Sequence, residues 1–378
     1  VNGSGKHNNW SLATDTGKNL FSPGKTPRQN AQFLLFLAAF VKGVDEYQDF
    51  LRCTVATAGN DHRLGANEAP PAIVSIFLGD ELNAVVRSII DGTNYTDPEK
   101  RIMRVGVDVM PAIPKDTTDR NRTSPLAFTG NKFEFRMLGS SQSVASPNIA
   151  LNTIMAEELR KFADILEAAD DFDQALHDLV CKAFTEHQRI IFDGNGYSDD
   201  WKEEAKQRGL SNYPSTAECL TAYLTDKNIQ LVTSHGIFTE AEFRARHAIH
   251  LEAYNKTVNI EARTMVDMAL HQILPAALHY TKQLCDAIKV KHDLRISHRA
   301  ESMLAQQLSE TADKLYDGVN DLKATLESIP DGTEAAAEHY HDVVVPAMES
   351  LRNHADLLEQ LTDKSCWPYP TYSDLLFY

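Results

Sequence analysis

The sequence has no apolar run near the ~20 residues that cross a bilayer. Its longest candidate, between Phe33 and Val41, reads as the buried side of an amphipathic helix. No membrane partner is expected. Basic stripes are absent too, and the formal net charge is -16. That balance argues against a nucleic-acid partner and suits a cytoplasmic chain that binds cations. Cysteine is scarce. The five residues Cys53, Cys181, Cys219, Cys285 and Cys366 are odd in number and far apart. They read as reduced, mostly buried thiols, not as a disulfide framework or a zinc site. No internal repeat or low-complexity stretch occurs. No methionine or leader precedes Val1, which suggests a piece of a longer protein.

What is present begins at once. Residues 1–12 hold Asn2-Gly3-Ser4-Gly5-Lys6-His7-Asn8-Asn9-Trp10-Ser11. Two glycines allow positive φ and close approach of the backbone to a ligand. His7 follows at a turn-to-strand junction, where a neutral imidazole suits a metal or a phosphate. The plain alternative is a Gly/Ser-rich surface turn. A phosphate-loop reading fails, because His7 stands where that motif needs Ser or Thr after the lysine.

The pattern predicts an α+β chain. Thr26-Pro27 opens a helix running to about Thr57, with Phe33, Phe36, Leu37, Phe40, Val41 and Val44 on its apolar side. A loop from Ala58 to Pro71 carries Arg63 and Glu68. A helix is expected near Ile73–Ile90 and a strand from Arg101 to Pro111. Asp119–Pro125 is irregular and contains Arg122. Lys132–Leu138 alternates, so Lys132, Glu134 and Arg136 share one face, and Phe133, Phe135 and Met137 the other.

From Ser146 onward the chain reads as helical. Helices are expected over Asn148–Ala169, Phe172–Gln207 and Ser215–Leu224. One very long helix follows from Thr239 to Val290, kinked at Pro275. Leu304, Leu308, Ala312, Leu315, Val319, Leu322 and Leu326 step by four or three, which is a coiled-coil seam. A third helix from Glu334 to Leu361 is expected to kink at Pro346. These helices form an antiparallel bundle, and the aromatic tail from Cys366 docks on a surface. The expected domains are 1–235 and 236–378.

A histidine plus a carboxylate suits Mg²⁺ or Mn²⁺ when other oxygen ligands complete the shell. Arginines suit carboxylates and phosphoryl groups, because the guanidinium fork pairs with both. His7, Arg63, Glu68, Arg122, Glu134 and Arg136 therefore suggest metal-assisted chemistry on an anionic substrate. The histidines His247, His250, His271 and His279 read as helix residues. Glu338, His339, His341 and Asp342 read as a solvated helix face.

The ordered motifs Asn2–His7, Arg63-Leu64 with Glu68-Ala69-Pro70, Asn121-Arg122 and Glu134-Phe135-Arg136 resemble the C-terminal half of the glutamine synthetase catalytic domain. Asn8–Ser11, Asn60–Gly65, the insertion after Glu81 and Trp367–Tyr372 look like its type III branch. The resemblance implies a partial antiparallel sheet with flanking helices, followed by a helical extension. It implies ATP-dependent ligation of ammonia to glutamate through a γ-glutamyl phosphate, in a homo-oligomer of stacked rings. By that carry-over, His7 and Glu134 ligate a metal. Asn2, Gly3, Arg63 and Arg136 bind glutamate. Glu68 and Arg122 are catalytic, and Ser11 and Lys132 lie by the nucleotide. Asn9 replaces a second histidine that many relatives carry. Pro125–Phe128 stands where another arginine is common. The family's remaining metal carboxylates and its N-terminal domain precede this stretch, so the chain alone is expected to bind metal poorly. Two alternatives remain at this stage: a γ-glutamyl ligase using another amine, and a non-catalytic assembly or sensing module in residues 236–378.

Overall fold

The structure is a computed structural model that describes residues 5–66, 69–93, 102–103, 113–114 and 123–376. The chain divides into two units, Val1–His250 and Leu251–Tyr378.

In the first unit, β1 (Asn8–Trp10) is followed by α1 (Ala31–Glu46), α2 (Gln48–Cys53) and the one-turn α3 (Ala58–Asp61). The Asn30 side chain caps α1 by accepting from Phe33 N at 3.1 Å. The single helix expected from Thr26 to Thr57 is broken at Tyr47, which leaves helical geometry (φ -119, ψ 25). Gln48 Nε2 donates to the Asp45 carbonyl at 3.0 Å, which satisfies one group that the break exposes.

The next expectation fails in its first half. Residues 73–79 are not helical. They contain β2 (Ile76–Phe77), and Gly79 at φ 82 turns the chain into α4 (Asp80–Ile90). Every residue from Pro71 to Gly79 is buried. A continuous buried apolar run is what a covered strand shows, and periodicity alone does not separate it from a helix. The short strands β3 (Ile102–Met103) and β4 (Ile113–Pro114) pair antiparallel. The rest of the strand expected over 101–111 lies outside the described residues.

Next, β5 (Leu126–Phe128) and β6 (Phe133–Phe135) form a hairpin, closed by Thr129 N donating to Lys132 O at 2.9 Å. The sheet order is β1-β6-β5-β2. It is mixed, not antiparallel as expected: β2 runs parallel to β5, and Ile191 adds a parallel bridge to Ile76. Under the sheet sits an aromatic cluster. Phe40 of α1 stacks on Phe133 at 3.8 Å, with Trp10, Phe21 and Phe128 around them.

Two longer helices, α5 (Ala145–Glu167) and α6 (Phe172–His187), pack on α1. The helix expected to continue to Gln207 stops instead. Phe192-Asp193-Gly194-Asn195-Gly196 forms a loop, and Ser198 caps a new helix, α7 (Asp199–Gln207). Then come α8 (Thr216–Leu220), opened by a Ser215/Glu218 capping box, and α9 (Asp226–Ser234).

The helix α10 (Glu240–Met268) crosses the division and continues into the second unit. There, a π turn at Ala269–Ile273 leads into α11 (Leu274–Asp293). After α12 (Arg299–Glu327) and α13 (Thr333–His339), a second π turn at Tyr340–Val344 leads into α14 (Val345–Leu361). Each π turn ends two residues before a proline, Pro275 and Pro346. Proline has no N–H and clashes with the carbonyl four residues back. A wider turn relieves both problems while the helix goes on. The seam residues Leu308, Ala312, Leu315, Val319, Leu322 and Leu326 are buried, and α12 packs against both α11 and α14. The tail reaches α15 (Tyr372–Leu376). It docks: Trp367 is buried, the Arg352 guanidinium donates to Tyr372 Oη, and Tyr372 N donates to Glu359 Oε1 at 2.9 Å.

Candidate functional site

The geometry follows from strand register. β1 and β6 are antiparallel with Asn8 opposite Phe135, Asn9 opposite Glu134 and Trp10 opposite Phe133. Side chains alternate across a strand, so Asn8 and Trp10 point to the helical layer with Phe133 and Phe135. There Asn8 Nδ2 donates to Asn148 Oδ1 and Trp10 Nε1 to Asn152 Oδ1, each at 2.8 Å. These bonds fasten β1 to α5. Asn9, His7 and Glu134 occupy the opposite face.

On that face His7 and Glu134 are diagonal neighbours. His7 Nδ1 lies 2.5 Å from Glu134 Oε1. The imidazole is exposed, whereas Glu134 is 2% exposed. Its second oxygen, Oε2, is buried and has no hydrogen-bond partner among the described residues. A buried carboxylate oxygen without a donor is costly, unless a cation or a donor from elsewhere meets it. A hard divalent ion accepts such an oxygen together with a neutral imidazole nitrogen. The donor set therefore fits the Mg²⁺ or Mn²⁺ that the motifs imply. Among the described residues no cluster of three or more metal-ligating side chains occurs.

Arg63 is buried beneath the same strand end. Its Nη1 donates to Asn60 Oδ1 at 3.2 Å and to Met137 O at 3.0 Å, and its Nη2 donates to Arg136 O at 3.1 Å. Nε is buried without a partner among the described residues. Burial lowers the guanidinium's pKa; a favourable interaction with Tyr197 opposes this, and Arg136 adds to it. Gly5 is the close approach that this packing requires. A Cβ there would stand 2.0 Å from Arg63 Nη2 and 3.1 Å from Leu138 O. Arg136 is half-buried, and its N donates to Pro125 O at 2.9 Å.

Ser11 and Lys132 lie at the other end of β6. Ser11 Oγ donates to Asn131 O at 2.8 Å, in the turn that Lys132 closes. At about 3.3 Å per residue, Lys132 and Arg136 are on the order of 13 Å apart. Asn2, Gly3, Glu68 and Arg122 lie outside the described residues.

Several contributors carry no motif. Asn60 Nδ2 donates to Val55 O and Met137 O at 2.8 and 2.9 Å, which seats the Arg63 loop. Gly196 N donates to Thr123 Oγ1 at 2.8 Å, which brings the 192–198 loop alongside. The one sequence signal for that loop was two glycines, Gly194 and Gly196, inside a stretch read as helix. Elsewhere, His247 is buried with Nε2 on Leu220 O at 3.0 Å, and His339 Nε2 lies 2.9 Å from Thr325 O.

Residues 175–292 match the family model described as glutamine synthetase C-terminal domain. The match over the whole chain is broader, and it places the chain in the glutamine synthetase family. It is 44% identical over 388 residues to a protein named type-3 glutamine synthetase from Dictyostelium discoideum, with 100% of this chain and 53% of that relative covered. Proteins named glutamine synthetase from Bacteroides fragilis (strain YCH46) and Butyrivibrio fibrisolvens are each 40% identical, again over 100% of this chain and 54% of theirs. The chain spans about half the length of the curated relatives it matches.

Proposed function

We propose that this chain supplies part of the active site of an ATP-dependent glutamate–ammonia ligase that works through a γ-glutamyl phosphate. The observation that carries this reading is the His7–Glu134 pair with its buried, unpartnered Oε2. His7 and Glu134 would hold the divalent ion. When bound, that ion supplies positive charge to the phosphoryl oxygens, where charge builds during transfer. The names of the relatives support ammonia as the amine, and no observation favours another.

The chain's own residues divide the remaining work. Arg63 spends three hydrogen bonds on Asn60, Met137 and Arg136, so it chiefly fixes the strand end beside His7. Its Nε is buried and without a partner among the described residues, so contact with a substrate carboxylate requires that atom to be uncovered. Arg136, with Asn2 and Gly3, takes the other polar groups of glutamate. Arg122 steadies the transferring phosphoryl group. Glu68 covers the entrance and draws a proton from ammonium. Ser11 and Lys132 serve the nucleotide from the far end of β6. Stacked-ring oligomers and a cytoplasmic setting belong to the same reading. No described helix is long and apolar enough to cross a membrane.

The test is Glu134→Gln in the full-length protein. Mn²⁺ affinity should fall by at least the roughly 10–100-fold that loss of even an outer ligand partner costs. Ammonium-dependent phosphate release should fall with it. Unchanged affinity and turnover would overturn the assignment.

A further inference from the structure

Cys53 ends α2 and Cys219 lies in α8, 166 residues apart in the chain. In the fold they meet. Cys219 Sγ is 3.3 Å from Cys53 Sγ, and the Cys53 thiol donates to the Cys219 carbonyl at 3.1 Å. Both residues are buried, at 1% and 0% exposure. A disulfide needs about 2.05 Å between the sulfurs. The gap is within the reach of a side-chain rotation, without travel of the backbone.

The backbone around the pair is held independently of the sulfurs. Arg52, next to Cys53, donates from Nε to Tyr213 O at 2.8 Å and from Nη2 to Pro214 O at 3.3 Å. Asp61 accepts from Thr216 N and Thr216 Oγ1 at 2.8 and 2.7 Å. These contacts bracket the two cysteines and keep α2 and α8 in register. The same segment carries Asn60, which seats the Arg63 loop.

We propose that Cys53 and Cys219 form an oxidisable dithiol, whose disulfide locks α2 to α8 behind the candidate site. The oxidant is a low-molecular-weight disulfide such as oxidised glutathione. One cysteine thiolate attacks that disulfide, forms a mixed disulfide and expels one thiolate. The second cysteine thiolate attacks the mixed disulfide at the protein sulfur and expels the other. Two cysteine thiols are oxidised to one disulfide, and one small disulfide is reduced to two thiols that take up the protons. Burial and the neighbouring thiol push the Cys53 pKa well up, so the closed state resists attack. Exchange therefore passes through local opening of the short α8. Once formed, the bond spans a long loop and disfavours reopening.

The test treats full-length protein with oxidised glutathione, alkylates the remaining thiols in acid and maps the peptides by mass spectrometry. Expected is a Cys53–Cys219 linked peptide, with loss of two free thiols among the five of this chain. The linked form should melt at a higher temperature, and dithiothreitol should reverse the shift. Cys53→Ala and Cys219→Ala should each abolish both the link and the shift. Should either variant fail to fold, the map of the unaltered protein still decides. Exposed Cys285 serves as the control for reaction with the reagent. If Cys285 is glutathionylated while Cys53 and Cys219 stay free or carry separate adducts, the proposal falls. A linked form that melts no higher than the reduced one also overturns it.

Discussion

Gly5 shows how one missing methyl group shapes a site. Its Cα faces the guanidinium of Arg63, which is pinned by three hydrogen bonds and has little room to retreat. Gly5→Ala is expected to destabilise by about 1–3 kcal/mol, as overpacking does elsewhere. It should also weaken Mn²⁺ binding by displacing His7, and thermal melting with a metal titration checks both. The sequence announced that a glycine was needed here, but suggested a ligand as the close neighbour. The neighbour is a side chain 58 positions on, which no local pattern can reveal. Glu134 was readable from alternation, whereas the orphaned Oε2 needed coordinates. His250 gives the residue scale its pH signature. Burial first, then Arg246 and His247, lowers its pKa below 6.5. Below that value the unfolded chain binds the proton more readily than the folded one does. Stability should therefore be complete above 6.5 and decline as pH falls through the lowered folded value. Urea midpoints measured from pH ~5 to ~7.5 should show this slope, and His250→Gln should flatten it.

Elements were legible in proportion to their length. The seam of α12 and the long helices on either side follow from spacing alone, because each exceeds several turns and packs along one stripe. Short pieces did not. β2 is two residues of a buried run, and the breaks at Tyr47 and Gly194 depend on caps and packing, not on period. The prolines were recognised as interruptions; the π turn that precedes each one was not. A π turn holds one residue more than an α turn. Deleting the exposed His271 should thus return Ala269–Ile273 to α geometry with α11 still in phase. Alone, the deletion restores the Pro275 clash and should cost about 3 kcal/mol. Combined with Pro275→Ala it should cost far less, and melting curves of the single and double variants would expose that non-additivity.

At the scale of the molecule, the described part of the proposed metal site is a pair of ligands, whereas Mg²⁺ asks for about six. The 378-residue chain alone should therefore bind Mn²⁺ far more weakly than full-length protein. Electron paramagnetic titration compares the two directly, and equal affinity would contradict the shared-site reading. The α+β class and the helical bundle were legible because both rest on repeated patterns. The mixed sheet was not, since strand direction depends on which distant segments pair.

That dependence also has a tempo. Asp61, which steadies the Arg63 loop, waits for Thr216, 155 residues later. At roughly 5–20 residues per second, about 8–31 s of translation separate their emergence from the ribosome. In the first part of that interval, until β5 and β6 emerge, the apolar stretch Pro71–Leu78 has no finished sheet to enter, so a nascent-chain chaperone has its widest opening before that hairpin is made.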